Sequence, residues 1–529
     1  IAAVPVLTML VFSKAFVEFA TSGLENPLSY LLLVLFLWVF LKNDMTLKNL
    51  FYLSLTASLA AVNRVDCLLL YLPGLCYYFW KLPRFEAFKK ILLGFLPLIV
   101  WEIFSLIYYG FLIPNTAYAK LNNGYSQLQM FQQGLLYYLD IIYRDPLTFL
   151  VVLAALFSVF VFRQRRTMLA GAGVILYLLY IIYIGGDFMS GRFLTVPFLA
   201  AVILLSRVPL ENRLIHWGGL LIVVVVVGFI GPHPTLLSDR YFGTEPMKGR
   251  DFTGICDERA AYYPTTGLLN VRRNVPMPMH EWADIGREMK ANAPQTVVWG
   301  IAGFPGFFAG PEVHIIDFYA LTEPLLARLP AMKHYEWRIG HFKRVLPQGY
   351  EETVRTGENH LTDTSLTRYY EKIKIITRGD IFSFNRFKEI IKFNLGCYNY
   401  LRENYLHPPR IEVAYAAINT PKPRGTSWKA EGNYIIRESG LEIRFDSPVT
   451  APRLELSLDH NDDYTVSYYR DGKKLAEQTV NTRLIEHSGL RVDTLTVPVE
   501  NIPDGYNSIV IVPSGGDLLY SVGHVSLLE

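Results

Sequence analysis

The chain has 529 residues, 51% hydrophobic and 18% charged, with a formal net charge of +3 at pH 7. That length exceeds one ordinary domain, and a mean hydropathy of +0.24 excludes a fully soluble protein, a disordered chain and a collagen-like fibre. So small a net charge, with no basic tract interleaved with aromatics, excludes nucleic acid as a partner.

The charges are unevenly placed. Residues 1–231 carry 26 charged side chains, 16 basic and 10 acidic, and residues 232–529 carry the other 71. Apolar stretches lie at about 4–20, 28–41, 51–63, 67–80, 91–109, 147–162, 169–184, 193–206 and 214–231. Several fall short of the ~20 residues that cross a ~30 Å hydrocarbon core, so their ends must borrow polar neighbours. Nine membrane segments are expected. The loops at 42–50, 81–90, 163–168 and 206–213 hold eleven Lys and Arg residues, Arg213 among them, whereas the alternate loops hold Arg64, Lys120, Arg144 and Arg192. The positive-inside rule places the first set in the cytoplasm and everything after Phe229 outside.

Four polar motifs interrupt the apolar segments, all on the expected outer side: Gly23-Leu-Glu-Asn-Pro27, Asn63-Arg-Val-Asp66, Pro114-Asn-Thr-Ala-Tyr-Ala-Lys120 and Gly185-Gly-Asp-Phe-Met-Ser-Gly-Arg192. Charge at membrane depth is costly unless it is paired or lines a wet cavity. Glu25, Arg64, Asp66, Lys120, Asp187 and Arg192 are therefore expected to share one polar chamber; the plainer reading is a set of local ion pairs. Arg offers a planar fork to phosphate oxygens and Lys a mobile point charge. A carboxylate can take a proton from an incoming hydroxyl. An outward chamber suits a donor carried on a lipid phosphate better than a cytosolic nucleotide sugar.

The order G-L-E-N-P, N-R-x-D, P-N-T-A-Y-A-K, G-G-D-F-M-x-G-R and then I-I-D-F-Y-A-L-T resembles bacterial membrane glycosyltransferases of the GT-C superfamily, nearest the cell-wall terminal arabinofuranosyltransferase-like group. The likeness runs over roughly residues 15 to 400. It implies a multi-pass protein of the bacterial inner membrane that moves a sugar from a polyprenyl-phosphate donor to a glycan or glycolipid acceptor on the outer face. Such enzymes carry a paired-Asp motif after the first transmembrane helix. No Asp-Asp pair occurs in the first half of this chain, whose first residue is Ile1, so the principal Asp is expected upstream of Ile1, with Glu25 and Asp187 as the alternatives. Substrate binding then falls to Arg64, Asp66, Asn115, Tyr118, Lys120, Arg192 and Asp317. Asp66 and Asp187 could coordinate a divalent cation, but their spacing does not demand one, and no other cofactor is implied.

Residues 232–280, rich in Pro, Gly and Tyr, lack periodicity and are expected to be irregular. A helix over Glu281–Ala291 and strands over Thr296–Gly300 and Val313–Asp317 predict a small α/β unit. Gly300 to Gly310 lacks phosphate-loop spacing, so a tight turn is expected there. Asp317 ends its strand, where it either meets substrate or caps a turn. Arg338 to Arg344 makes His341 and Arg344 weak substrate candidates, and His314, His334, His341 and His360 have no metal-ligand spacing.

After His407-Pro-Pro409 the hydrophobic period becomes two. Strands are expected over Leu441–Phe445, Arg453–Leu458, Tyr464–Arg470, Thr494–Val499, Ser508–Val512 and Ser521–Leu527, with a hairpin at Asp471-Gly472. Trp428, Tyr434, Tyr468 and Tyr469 either stack on sugar faces or fill the core. Asp459 to Asp463 has the look of a calcium loop, but Tyr464 stands where the sharp turn wants Gly. Cys256 and Cys397 would pair only in an oxidising compartment. The expected architecture is a polytopic α-helical membrane bundle, GT-C-like (1–231), then an extracytoplasmic α/β domain (232–408) and a β-sandwich (409–529). The expected function is that of a membrane glycosyltransferase. The rivals are a ligase or polymerase of lipid-linked polysaccharides, which would consume pyrophosphate-linked donors, and a non-enzymatic glycan transporter or scaffold.

Overall fold

The structure, a computed structural model, describes residues 3–42, 44–208, 214–232, 234, 236–237, 253–267, 270, 278–332, 337–481, 489–498, 500 and 502–529. Arg213, His334, Val499 and most of the irregular stretch expected over 232–280 lie outside the described residues.

The nine apolar stretches all fall on helices, but they are more broken than the hydropathy suggests. Among the described residues one helix, Arg165–Tyr183, is long and apolar enough by itself to cross a bilayer. Three further pairs reach that length only together, and each is bent: Ala3–Phe12 with Lys14–Ala20 by 73°, Arg84–Gly94 with Leu96–Tyr108 by 51°, and Gln127–Arg144 with Pro146–Phe162 by 110°. Among the described residues, four is thus the largest number of spans that helix length and composition support. The breaks have local causes. Ser13 Oγ accepts from the Phe16 amide to start a new helix, the Asp145 carboxylate accepts from the Thr148 amide, and Pro97 and Pro146 sit in the first turns after their breaks.

Helix Asn26–Lys42 packs on Leu47–Asn63, and Arg165–Tyr183 on Leu68–Lys81, around a core holding Phe36, Phe40, Leu53, Tyr71, Tyr78, Val174 and Tyr177. Beyond the helical half, β1 (Gln295–Trp299) and β2 (Val313–Asp317) run parallel, Gln295 opposite Val313 and Trp299 opposite Asp317. A parallel pair needs a crossover. It is supplied by Gly300 to Gly310, which coils into a short helix, Phe304–Ala309, where a tight turn was expected; Gly310 then leaves it at φ 79°. Helices Tyr350–Thr356, Thr364–Arg378, Phe384–Asn394 and Asn399–Leu406 complete this middle region.

The last part holds β3 (Ile411–Ala414), β4 (Tyr434–Ile436), β5 (Leu441–Val449), β6 (Arg453–Asp459), β7 (Asp463–Arg470), β8 (Lys473–Val480), β9 (Leu490–Thr496), β10 (Tyr506–Gly515) and β11 (Tyr520–Leu528). They form a five-stranded sheet, β3-β5-β10-β7-β8, and a four-stranded sheet, β4-β11-β6-β9. Both contribute to one core, with Leu441, Ile443, Tyr468 and Ile509 from the first and Leu454, Leu456 and Val522 from the second. Asp471 and Gly472, at φ 50° and 79°, make the β7–β8 hairpin expected of them. Tyr468 is fully buried and not placed to stack on a ligand, whereas Trp428, Tyr434 and Tyr469 are half-buried. All four cysteines are free, so Cys256 and Cys397 do not pair.

Candidate active site

Three of the four polar motifs converge at one end of the helices. Asn63 closes the helix Leu47–Asn63 and donates to the Glu25 carbonyl at 3.1 Å and to Ser29 Oγ at 2.9 Å, which ties the first motif to the second. Asn26, the next residue of the first motif, is fully buried and donates to Thr195 Oγ1 at 2.9 Å, just past the fourth.

The charged groups then meet. Arg64 grips Asp66 through Nε at 2.9 and 3.1 Å and through Nη2 at 2.8 Å. Tyr177 Oη accepts from Arg64 Nη2 and donates to Asp66 Oδ2, each at 2.8 Å. Glu25 bridges the two guanidinium groups: Arg64 Nη1 reaches Oε1 at 3.3 Å, and Arg192 Nη2 reaches Oε1 and Oε2 at 2.8 and 3.0 Å. Arg192 Nη1 continues to Asp187 Oδ2 at 3.2 Å. The Arg64 guanidinium lies 4.2 Å from the centre of the Phe193 ring, which adds a cation–π contact. Burial pushes the Glu25 carboxyl up, but Arg192 and Arg64 outweigh it and hold the group below its ordinary range. Arg192 Nε is buried and makes no hydrogen bond among the described residues.

The fourth motif can reach this place because two glycines start it with positive φ. At Gly186, φ is 75°, and a Cβ there would lie 2.6 Å from the Tyr137 side chain, so only glycine fits. Tyr137 Oη donates to the Met189 carbonyl at 3.1 Å and accepts from the Phe193 amide at 3.2 Å, which pins the loop between.

A segment that the sequence left featureless covers the loop. Cys256 N donates to the Phe188 carbonyl at 2.7 Å, and Ser190 N to the Cys256 carbonyl at 2.9 Å. Gln133 Nε2 holds the Thr253 carbonyl at 2.6 Å, and Lys14 Nζ holds Asp257 Oδ2 at 3.0 Å. Asp257 caps the helix Glu258–Thr266, so Glu258 opens it, half-buried and with no hydrogen-bond or ion-pair partner among the described residues. Burial pushes the Glu258 carboxyl up to about 7; Arg338 opposes the shift, and Asp187 and Asp257 add to it. Sequence reading missed Glu258 because nothing periodic marks its segment.

The third motif goes elsewhere. Asn115 donates to the carbonyls of Ala320 and Leu321 at 3.0 and 3.1 Å and accepts from Arg328 at 3.3 Å. Tyr118 stacks under the same guanidinium, 4.2 Å away. Both residues thus join the helical half to the middle region and do not line the ionic cluster. Lys120 is exposed, with no ion-pair partner among the described residues; its Cε lies 3.4 Å from where a Gly340 Cβ would stand, and Phe188 lies 3.5 Å from that point. Asp317 accepts from the amides of Tyr319, Leu321 and Thr322 at 2.8, 2.8 and 3.3 Å, the capping role weighed against substrate contact. Arg344 is taken up by four carbonyls, those of Ala119, Asn122, Leu329 and Phe342, and His341 packs edge-on against Phe188 with ring centres 4.5 Å apart. Among the described residues no three His, Cys, Asp or Glu side chains gather as metal ligands.

Two known proteins resemble this chain. The chain is 25% identical over 411 residues to a terminal β-(1→2)-arabinofuranosyltransferase of Mycobacterium tuberculosis, 62% of this chain and 64% of that protein. It is 23% identical over 390 residues to a protein of the same name from Corynebacterium glutamicum, 59% of this chain and 55% of that one. It is similar to arabinofuranosyltransferases. The chain spans less than two thirds of the length of either relative. No family model matches, and no solved structure does.

Proposed function

We propose that this chain is a GT-C-type glycosyltransferase of the cell envelope, embedded in the bacterial inner membrane by several passes, with its middle and β-rich parts outside. The single observation that carries the reading is the linked set Asp66–Arg64–Glu25–Arg192–Asp187, drawn from three distant motifs and set at the end of apolar helices. The similarity to arabinofuranosyltransferases supports it.

In this reading the donor is a sugar on a polyprenyl phosphate and the acceptor a glycan or glycolipid. The lipid tail lies along the helices and the head enters beside Arg64 and Arg192. Arg192 Nε, buried and without a hydrogen bond among the described residues, would turn to a phosphate oxygen, and Lys120 brings a mobile charge beside Phe188. The acceptor hydroxyl gives its proton to a carboxylate. Its oxygen bonds the anomeric carbon, the bond from that carbon to the phosphate oxygen breaks, and the phosphate leaves with the electron pair, held by the arginines. Glu25 is a weak base because its charge is neutralised by two guanidinium groups, so its part is to orient them. Glu258, half-buried, without a hydrogen-bond or ion-pair partner among the described residues and with its carboxyl raised to about 7 by burial, suits proton transfer better, and Asp187, the other carboxylate of the site, is paired with Arg192. The half-buried Trp428 and Tyr469 offer faces for a bound glycan.

The experiment is sugar transfer in proteoliposomes with Arg64→Ala. Transfer from a monophosphate-linked donor should be abolished while the protein still folds, as judged by gel filtration; intact transfer would remove the phosphate site from these residues.

A further inference from the structure

Outside the cluster, the most unusual surface lies on the middle region. Phe382, Phe384 and Leu395 are 79%, 84% and 76% exposed, and Ile391 is 58% exposed. They are not scattered. On the helix Phe384–Asn394, positions 384, 388, 391 and 395 follow one face, and that face reads Phe, Lys, Ile, Leu. The opposite face, with Arg386, Glu389 and Ile390, is buried.

That helix is fastened to the end of the apolar helix Leu96–Tyr108. Arg386 donates to the carbonyls of Ile107 and Tyr108 at 2.6 and 2.9 Å, and Asn394 to the Gly110 carbonyl at 2.9 Å. Ile376 and Ile390 close over Gly110. The helix that carries the exposed stripe is thus joined to a segment on which Phe104, Tyr108, Tyr109 and Leu112 are also exposed. Tyrosines at a helix end mark the level where hydrocarbon meets headgroups. Charge follows the same division: Glu389 is turned inward onto Tyr398 and Lys372, leaving Arg378 and Lys388 exposed and Lys392 half-buried, against one exposed acid, Asp380.

We propose that residues 381–395 form a foot that lies in the headgroup region of the bilayer, with Phe382, Phe384, Ile391 and Leu395 inserted and Lys388 and Lys392 on anionic lipid phosphates. An apolar stripe bordered by lysines is the composition of an interfacial helix. Its occupant is the bilayer and not a partner protein, because the helix that carries the stripe is fastened to the end of Leu96–Tyr108, an apolar helix whose Val100, Trp101, Ile103 and Phe104 are exposed. The foot rests on the membrane placement proposed above. It fixes the height of the middle region over the ionic cluster, since the same region carries the Arg338–Phe342 turn that covers Phe188.

The test uses the 529-residue chain with its four cysteines replaced by serine, reconstituted in vesicles containing anionic lipid. A fluorophore is placed in turn at Phe384→Cys, Trp101→Cys and Asp471→Cys, and quenching by nitroxide lipids is measured. Quenching at 384 comparable to that at 101, with none at 471, is the expected result, and Lys388→Glu with Lys392→Glu should weaken it on anionic vesicles alone. Quenching at 101 but not at 384 overturns the foot and leaves the membrane reading standing. No quenching at 101 overturns both. Ile391→Cys gives an independent reading if Phe384→Cys does not fold.

Discussion

Arg192 and Glu25, 167 residues apart in sequence, meet in a forked pair in which one Arg192 nitrogen reaches both carboxylate oxygens, at 2.8 and 3.0 Å. The same guanidinium holds Asp187 through its other terminal nitrogen. Lysine keeps the charge but cannot make both contacts from one rigid plane. Arg192→Lys should therefore lower transfer at least about tenfold while leaving expression intact, and Glu25→Ala should cost roughly 3 kcal/mol by leaving two buried cations short of a partner. Steady-state transfer rates and thermal unfolding in detergent check these outcomes.

Gly186 offers a purely steric test. An alanine there must hold φ near 75° and place its Cβ 2.6 Å from Tyr137. The backbone alone costs about 1–2 kcal/mol, and overpacking a further 1–3. Gly186→Ala should lower the unfolding temperature and abolish transfer, because the loop that presents Asp187 and Arg192 would shift. Gly218→Ala, where nothing lies within 4 Å of the added carbon, is the control and should change neither.

Arg328 is held between the rings of Phe111 and Tyr118, at 4.0 and 4.2 Å, and donates to Asn115 and the Pro324 carbonyl. It locks the third motif to the loop after β2. Arg328→Ala should destabilise the protein by about 3 kcal/mol through lost stacking and stranded acceptors. Limited proteolysis should then cut between residues 110 and 122 sooner than in the parent protein.

Glu258 predicts a pH dependence whose sign is opposite to that of an ion-paired acid. Its carboxyl is raised from 4.5 to about 7 in the fold, so the folded chain binds this proton more tightly than the unfolded one. Its contribution to stability is greatest below pH 4.5 and declines as pH climbs to 7, by at most about 3 kcal/mol. Glu258→Gln should thus raise the unfolding temperature at pH 8 and leave it unchanged at pH 4. If the group also accepts the acceptor's proton, the acid limb of the transfer rate near pH 7 should vanish in the same variant.

What the sequence by itself determined is whatever depends on near neighbours along the chain. The change from sparse to dense charge near residue 231, the period-two strands from Leu441 to Leu527 and the Asp471-Gly472 hairpin were all legible because hydrophobic period and turn chemistry are local. Strand β8, with its run Lys-Lys-Leu-Ala-Glu-Gln, was not, since it draws its stability from pairing with β7 and not from its own pattern. Hydropathy could not show that the apolar stretches 4–20 and 91–109 are each broken, by 73° at Ser13 and by 51° at Phe95. The four motifs looked alike as polar interruptions, but their use was decided by tertiary structure: Arg64, Glu25 and Arg192 meet through hydrogen bonds between distant segments, while the equally polar Asn115 and Tyr118 serve a joint. Glu258 entered the site only because Cys256 pairs with Phe188 and Ser190, and a backbone contact of that kind leaves no mark on the residues that make it.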